Sequence, residues 1–337
     1  MISIRSSSIP VLVSVLVATV ALAACRPATT SAPTTKLVAG LGFTPSVQFA
    51  PFYFADQKGY YAAANLDVTF QSQIDPNLIT LVGQGAIDIG TADGTSVIPA
   101  VSQGIPIVYV ATVYGQFPSI VFAKKSSGIA TAADLRGKKI GIPGRYGSSW
   151  VMLQALLGSA GLTPDDVTIV EYPDFGQGTA LARDAVDAAT GFANNEPVAM
   201  QLSGTDVNVL HVDPVVALPG PGLIASRATL ASKRNAVKAF VAATLRAMRE
   251  IAASPGDGLD AAYTAVPELT QSKDAQQAIL AATIGVWTPP GGTAADFGRI
   301  DPGSWQASID YMTTLGLVQG SIKVTDMIDG TYLPAGG

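Results

Sequence analysis

Short apolar segments and helix-like segments alternate along most of this chain, and that alternation limits the folds open to it. Apolar segments at 36–41, 66–71, 86–91 and 106–114 are each followed by a turn or a helical pattern. The long segment 106–114 is typical of a strand covered on both faces. Parallel strands need a crossover connection, usually a helix. Repeated β-α-β units therefore predict an α/β fold of mostly parallel sheets flanked by helices.

A second series of units follows the first, and the chain then becomes helical. About 300 residues remain after the leader, which is more than one ordinary hydrophobic core supports and favours two lobes. Residues 215–226 are apolar and rich in Gly and Pro, and we interpret them as a return crossing between lobes. The predicted strands of this second part are 120–125, 140–142, 167–172, 188–192 and 207–212, and the predicted C-terminal helices are 235–253, 259–265, 272–286 and 303–315.

The first 25 residues have the pattern of a lipoprotein export signal. Arg5 gives a positive start, and the apolar run 9–24 is shorter than the roughly 20 residues of a membrane span. The motif Leu-Ala-Ala-Cys at 22–25 fits a bacterial lipobox with cleavage before Cys25. We expect lipidation of Cys25; the alternative is a secretory signal that happens to precede a cysteine. Residues 26–35 form a predicted flexible tether.

Composition argues against several classes of function. The net charge is −5 and no basic block occurs, which disfavours nucleic-acid binding. The only histidine, His211, falls inside an apolar strand pattern, where a structural role is the simpler interpretation. The only cysteine is Cys25, so an internal disulfide is impossible. Since no metal-ligand cluster, P-loop or nucleophile elbow occurs either, the sequence predicts no enzyme and no cofactor.

The stretch 41–61, LGFTPSVQFAPFYFADQKGYY, carries a family resemblance. It resembles the opening of the NMT1/THI5-like family, whose bacterial substrate-binding proteins deliver small molecules to ABC importers. The positions that agree with the usual family pattern are Pro45, Tyr53, Ala55, Lys58, Gly59 and Tyr60. The positions that depart from it are Gly42, Phe43, Ser46, Gln48 and Phe49. Residues 90–94, 134–141 and 194–197 resemble further phrases of periplasmic binding proteins.

This resemblance implies the type II periplasmic-binding-protein fold, with two α/β lobes, a ligand cleft between them and two chain crossings. Lobe one would comprise residues 36–120 and 224–337, and lobe two residues 121–223. The implied partners are the permease and ATPase of an ABC importer and a small vitamin-like ligand. The implied state is a lipid-anchored monomer on the extracytoplasmic face of the cell membrane. The family also contains a fungal pyrimidine synthase, but its histidine and cysteines are missing from the mature chain.

Candidate ligand contacts in lobe one follow the predicted strands, because binding sites in α/β folds gather at the carboxyl ends of strands. Phe43 takes the place of the family's Trp, so its ring is expected to stack on the ligand. Gln48 offers a donor and an acceptor to a polar ring edge, and Phe49 either widens an aromatic wall or packs against the helix. Asp93 either accepts a hydrogen bond from a ligand N–H or caps a helix. The helix cap is our first interpretation, because Asp is a common N-cap residue. Tyr114 ends its strand and is a further candidate.

The loop 144–149 occupies the corresponding position in lobe two. Exposed backbone N–H groups at a helix start attract carbonyl, carboxylate or phosphate oxygens. Ser148 lies at that helix start, Arg145 would add charge, and Tyr146 would add a stacking face. The alternative is an ordinary helix cap.

Three further candidates come from other segments. Asn194 and Glu196 follow the predicted strand 188–192 and match the family's Asn-Glu-Pro phrase, so the resemblance implies a polar clamp there. Trp287 precedes a Pro-Pro-Gly-Gly turn and either lines the cleft or seals the lobe.

Riboflavin is the first choice of transported ligand, a thiamine pyrimidine precursor resembling hydroxymethylpyrimidine the second, and an anion such as a sulfonate the third. Phe43, Phe49, Tyr114 and Tyr146 can sandwich a wide planar ring, and residues 45–53 look most like the riboflavin-binding branch of the family. Gly42 stands where the family has Asp, so the negative charge of that side chain is absent from this position. Two other functions are weighed against import: an enzyme of pyrimidine synthesis, and a surface lipoprotein with a structural or adhesive role.

Overall fold

The computed structural model describes residues 1–2, 33–74 and 77–334. Residues 3–25 of the predicted export signal, which include Cys25, and residues 26–32 of the predicted tether lie outside these described residues. Residues 34–337 pack as one compact unit, so the predicted lobe boundaries stay a prediction. Within the described ranges, none of the helices combines the length and the apolar character that a membrane crossing requires.

Two five-stranded sheets form the framework of residues 34–334. The strand β8 has both of the ends that the sequence predicts, and β1 begins one residue before the predicted start. The ten strands of the described chain are β1 (Thr35–Leu41), β2 (Leu66–Ser72), β3 (Ile89–Ala92), β4 (Ile107–Thr112), β5 (Ser119–Lys124), β6 (Lys139–Ile142), β7 (Thr168–Glu171), β8 (Ala188–Phe192), β9 (Val207–His211) and β10 (Gly222–Ser226).

Helices cover the two sheets. Four of them, the first, the second, the seventh and the eighth, lie where the sequence did not predict a helix. The twelve α-helices of the described residues are α1 (Ala50–Gln57), α2 (Tyr60–Ala63), α3 (Asn77–Gly83), α4 (Gly94–Ser102), α5 (Gly147–Ser159), α6 (Gln177–Ala182), α7 (Glu196–Leu202), α8 (Arg227–Ser232), α9 (Arg234–Ala253), α10 (Pro255–Ala265), α11 (Lys273–Trp287) and α12 (Pro302–Thr314).

Both sheets are mixed, which refines the prediction of mostly parallel sheets. The order in the first sheet is β2-β1-β3-β10-β4, and β10 runs antiparallel to both of its neighbours. The order in the second is β7-β6-β8-β5-β9, and β5 runs antiparallel to both of its neighbours. Each antiparallel strand directly follows a segment in which the chain passes over from the other sheet. It therefore enters at the edge where the parallel strands end, and runs away from that edge.

The two passages between the sheets lie side by side. They comprise residues 113–118 and 212–221. The backbone N–H groups of Val113 and Tyr114 both donate to the carbonyl oxygen of Pro221, at 3.0 and 2.8 Å. These hydrogen bonds hold the two passages together where the chain crosses between the sheets.

Aromatic packing fixes the segment that follows β1. Tyr61 stacks on Phe240 of α9, with ring centroids 4.9 Å apart and planes 9° apart. The Tyr61 hydroxyl lies 2.8 Å from the Thr244 hydroxyl, so its polar end is paired inside the core. Phe52 of α1 packs on the same Phe240 ring at 6.2 Å. This cluster anchors α1 and α2 on α9 and holds the residues after β1 at the edge of the sheet.

Candidate ligand-binding site

A cavity of about 160 Å³ lies between the two sheets. A single water needs only about 10–15 Å³, so this space admits a small organic molecule. Its lining comes mostly from the ends of parallel strands, together with the start of β10, as the rule for α/β sheets predicts. Seven aromatic residues contribute to it: Phe43, Phe49, Phe52, Tyr114, Tyr146, Phe175 and Phe192.

Phe43 reaches the cavity directly after β1, where the sequence placed it. Its half-buried ring meets the ring of Phe175 from the other half of the chain, edge to face, at 5.0 Å and 87°. The preceding Gly42 donates its backbone N–H to the Thr91 hydroxyl at 2.7 Å. A Cβ at position 42 would lie 2.9 Å from that hydroxyl oxygen, so glycine permits this close approach between β1 and β3.

Gln48 lines the cavity, but its side chain already makes hydrogen bonds to other residues of the protein. Its Oε1 accepts from Asn194 Nδ2 at 3.1 Å and from the Tyr114 hydroxyl at 3.3 Å. Asn194 Nδ2 also donates to the Thr283 hydroxyl of α11 at 2.8 Å. Gln48 and Asn194 were predicted as ligand contacts. In this structure they instead join the two halves of the chain, and Asn194 is not among the lining residues. Burial raises the pKa of Tyr114, which keeps its hydroxyl a donor.

Asp93 lines the cavity and also caps a helix. Its Oδ1 accepts from the backbone N–H groups of Thr95 and Ser96, at 2.9 and 3.2 Å. The capping interpretation, which the sequence slightly favoured, therefore describes the geometry of α4. The residue is 8% exposed and belongs to the cavity wall, so it places a carboxyl group there.

The loop before α5 brings two of its three predicted residues to the cavity. Tyr146 and Ser148 line it. A Cβ on Gly144 would lie 2.4 Å from the Tyr146 ring, so glycine lets the ring lie against the backbone. Arg145 is not among the lining residues: its Nε lies 3.2 Å from Glu171 Oε1, and its guanidinium sits 5.1 Å from the Trp150 ring centroid. These two partners hold the charge outside the cavity lining, where the sequence had not placed Arg145.

Of the two remaining predicted contacts, Glu196 lines the cavity and Trp287 does not. Glu196 begins α7 and lines the cavity. Its Oε2 accepts from the backbone N–H of Phe192 at 2.8 Å, and burial raises the pKa of its carboxyl. Trp287 is 1% exposed and packs edge to face on Phe297 at 6.1 Å, away from the cavity. It therefore seals the lobe, which was the alternative interpretation for this residue.

Two lining residues between β7 and the first residue of α6 were missed from the sequence. Phe175 has a φ of +61°, a conformation that is uncommon for a bulky residue. Gln177 begins α6 and is 1% exposed. Their position after a parallel strand of the second sheet, equivalent to the loop after β6, was the signal that could have identified them.

The carboxyl groups around the cavity have no basic counterpart in the described part of its wall. Among the described residues that line it, none is Lys or Arg, while Asp93 and Glu196 contribute carboxyl groups. His211 lies at the exposed end of β9 and is not a lining residue. Within the described ranges, no group of three or more His, Cys, Asp and Glu side chains is arranged to hold a metal ion. The cavity thus offers aromatic faces and hydrogen-bond acceptors.

Comparison with known proteins agrees with this architecture. The NMT1/THI5-like family matches residues 46–257. The chain belongs to that family. Within it, the riboflavin-binding protein RibY of Chloroflexus aurantiacus is 33% identical over 92% of this chain and 90% of its own length. A 4-amino-5-hydroxymethyl-2-methylpyrimidine phosphate synthase of Legionella pneumophila is 26% identical over 65% of this chain and 70% of its own length.

Solved structures share the fold of this family member. The alkanesulfonate-binding protein SsuA of Xanthomonas axonopodis pv. citri, bound to MOPS, superposes with a TM-score of 0.70 at 18% identity. That match covers 89% of this chain and 99% of SsuA. The sulphonate-binding SsuA of Escherichia coli gives a TM-score of 0.69 at 18% identity, over 88% of this chain and 98% of that one. The periplasmic-binding-protein fold expected from the sequence is therefore confirmed, and family and fold together support a solute-binding protein.

Proposed function

We propose that this protein is the solute-binding component of an ABC importer and that it binds riboflavin between its two lobes. The observation that carries the proposal is the cavity wall of aromatic rings without a lining cation. Riboflavin presents a wide, flat and uncharged ring system to such a wall. Its pyrimidine-dione edge both donates and accepts hydrogen bonds, and its ribityl chain carries hydroxyl groups. The 33% identity to a protein named for riboflavin binding supports the same choice.

A thiamine pyrimidine precursor is the second candidate ligand. The carboxyl groups of Asp93 and Glu196 favour it, because an aminopyrimidine presents an amino group that donates hydrogen bonds. A sulfonate is disfavoured because the described cavity wall has no Lys or Arg to pair with it. A synthase activity, suggested by the names of several relatives, is disfavoured because the only histidine lies outside the cavity lining.

One experiment separates these functions. The mature protein is incubated with an equimolar mixture of water-soluble vitamins, pyrimidine precursors and alkanesulfonates, and then desalted and denatured. The released compound is identified by mass spectrometry. We expect one equivalent of unmodified riboflavin. Release of a chemically altered compound would indicate an enzyme, and release of no compound would favour a structural or adhesive lipoprotein.

We place the protein on the extracytoplasmic face of the membrane, anchored through Cys25. Burial of acyl chains contributes about 0.8 kcal/mol per methylene, so more than one chain gives a firm anchor. Cys25→Ser is expected to abolish incorporation of a labelled fatty acid and to release the protein from membranes, without changing ligand affinity. Ser31→Ala, in the tether, is the control and should stay membrane-bound. Equal labelling of wild type and Cys25→Ser would contradict the anchor.

A further inference from the structure

Gln177 has one buried polar atom without a partner. Its Nε2 donates to the backbone carbonyl of Thr190 at 3.1 Å. Because that carbonyl can only accept, the orientation of the side-chain amide is fixed. The Oε1 atom is then left as an acceptor, and it has no hydrogen-bond partner in the protein. Buried acceptors are normally paired, so one on a residue that lines a cavity indicates a place for a donor.

Phe175 stands two residues before Gln177 and is held in a strained conformation. Its φ of +61° is unfavourable for a large side chain, and residues that keep such angles cluster at functional sites. A turn fixes it: the Phe175 N–H donates to the Tyr172 carbonyl at 2.9 Å, and the Gly176 N–H donates to Asp174 Oδ1 at 3.1 Å. This backbone puts the ring against Phe43, in the same cavity wall as Gln177.

We propose that Phe175 and Gln177 form a ligand-recognition element of lobe two. The Phe175 ring covers the heterocycle of the ligand, and Gln177 Oε1 accepts a hydrogen bond from a ring N–H. This inference rests on the proposed function, because riboflavin has one ring N–H, on its pyrimidine-dione edge. The inference also makes Gln177 the residue that contacts the polar edge of the ligand ring, because Gln48 and Asn194 are hydrogen-bonded to each other.

The test uses a ligand pair and a matched set of variants. Riboflavin and 3-methylriboflavin, in which the ring N–H is replaced by N–CH₃, are titrated into wild type and Gln177→Met by calorimetry. Methionine keeps the length of the side chain and removes its acceptor, together with the Nε2 donor to the Thr190 carbonyl. Gln201→Met, on the exposed surface of α7, is the control for the substitution itself. Thermal unfolding of each variant verifies that it is folded.

Wild type should prefer riboflavin over its methyl derivative by about tenfold or more, as expected for loss of a buried hydrogen bond. Gln177→Met should bind riboflavin about tenfold more weakly and discriminate between the two ligands by less than about threefold. Phe175→Leu should weaken both ligands equally, because it removes a ring face and leaves the acceptor. Gln201→Met should behave as wild type.

The outcomes separate this inference from the function it rests on. If folded Gln177→Met keeps the full discrimination of wild type, the assignment of Gln177 is overturned while riboflavin binding stands. If wild type does not bind riboflavin, the proposed function and this inference both fail.

Discussion

Phe43→Ala is expected to weaken riboflavin binding by about tenfold or more, since about 1.4 kcal/mol corresponds to each factor of ten. The ring lines the cavity and meets Phe175 from the opposite half of the chain. An aromatic contact contributes about 0.5–1.5 kcal/mol beyond the burial of its area. The substitution removes the contact with the ligand and also the contact with Phe175, so both losses act on the closed, ligand-bound form.

Two companion variants make this result specific. Phe43→Leu keeps apolar volume without a ring, and its affinity should fall between those of wild type and Phe43→Ala. Phe70→Ala removes a half-buried ring that packs on Phe52 and Tyr61 and is not in the cavity wall. It should lower the melting temperature and leave affinity unchanged. Fluorescence titration supplies the constants, and equal affinities of wild type and Phe43→Ala would remove Phe43 from the site.

Asn194→Ala is expected to disfavour closure of the two lobes. The substitution removes the hydrogen bonds from Asn194 Nδ2 to Gln48 Oε1 and to the Thr283 hydroxyl, which join the halves of the chain. A hydrogen bond contributes a net 0.5–1.5 kcal/mol, so the two together correspond to roughly a thirtyfold loss of affinity. The dissociation rate should rise most, because these bonds join the two halves of the chain around the cavity.

Small-angle scattering measures the closure itself. Wild type should show a smaller radius of gyration when saturated with riboflavin, through a hinge motion about the two adjacent passages. Asn194→Ala should need more ligand to reach that radius. Asn208→Ala is the matched control, because Asn208 Nδ2 donates to the Ile129 carbonyl within one half of the chain. A radius that does not change in wild type would contradict the hinge.

The fold was largely predictable from local pattern. Apolar runs separated by helix-forming segments place nearly every strand, as β8 illustrates. The directions of β5 and β10 were not predictable in this way. A β-α-β pattern implies parallel neighbours, whereas these two strands arrive by passages from the other sheet. Strand direction there depends on the edge at which the chain enters, which no local pattern records.

The candidate site was predictable in position and only partly in detail. Phe43, Tyr146 and Glu196 reach the cavity because each follows a parallel strand. Arg145 does not, since it pairs with Glu171, which is 26 residues further along the chain. Gln48 is bonded to a residue 146 positions away. Such distant partners decide whether a polar side chain remains available to a ligand, and they follow from tertiary packing rather than from neighbouring residues.

Direct titration of wild type with riboflavin, read by fluorescence and by calorimetry, tests the central claim. We predict saturable quenching of riboflavin fluorescence with one site per chain, because the flat ring is buried against aromatic side chains. An aminopyrimidine titrated under the same conditions should bind more weakly. Calorimetry that shows no heat with riboflavin and clear binding of the aminopyrimidine would contradict the choice of ligand.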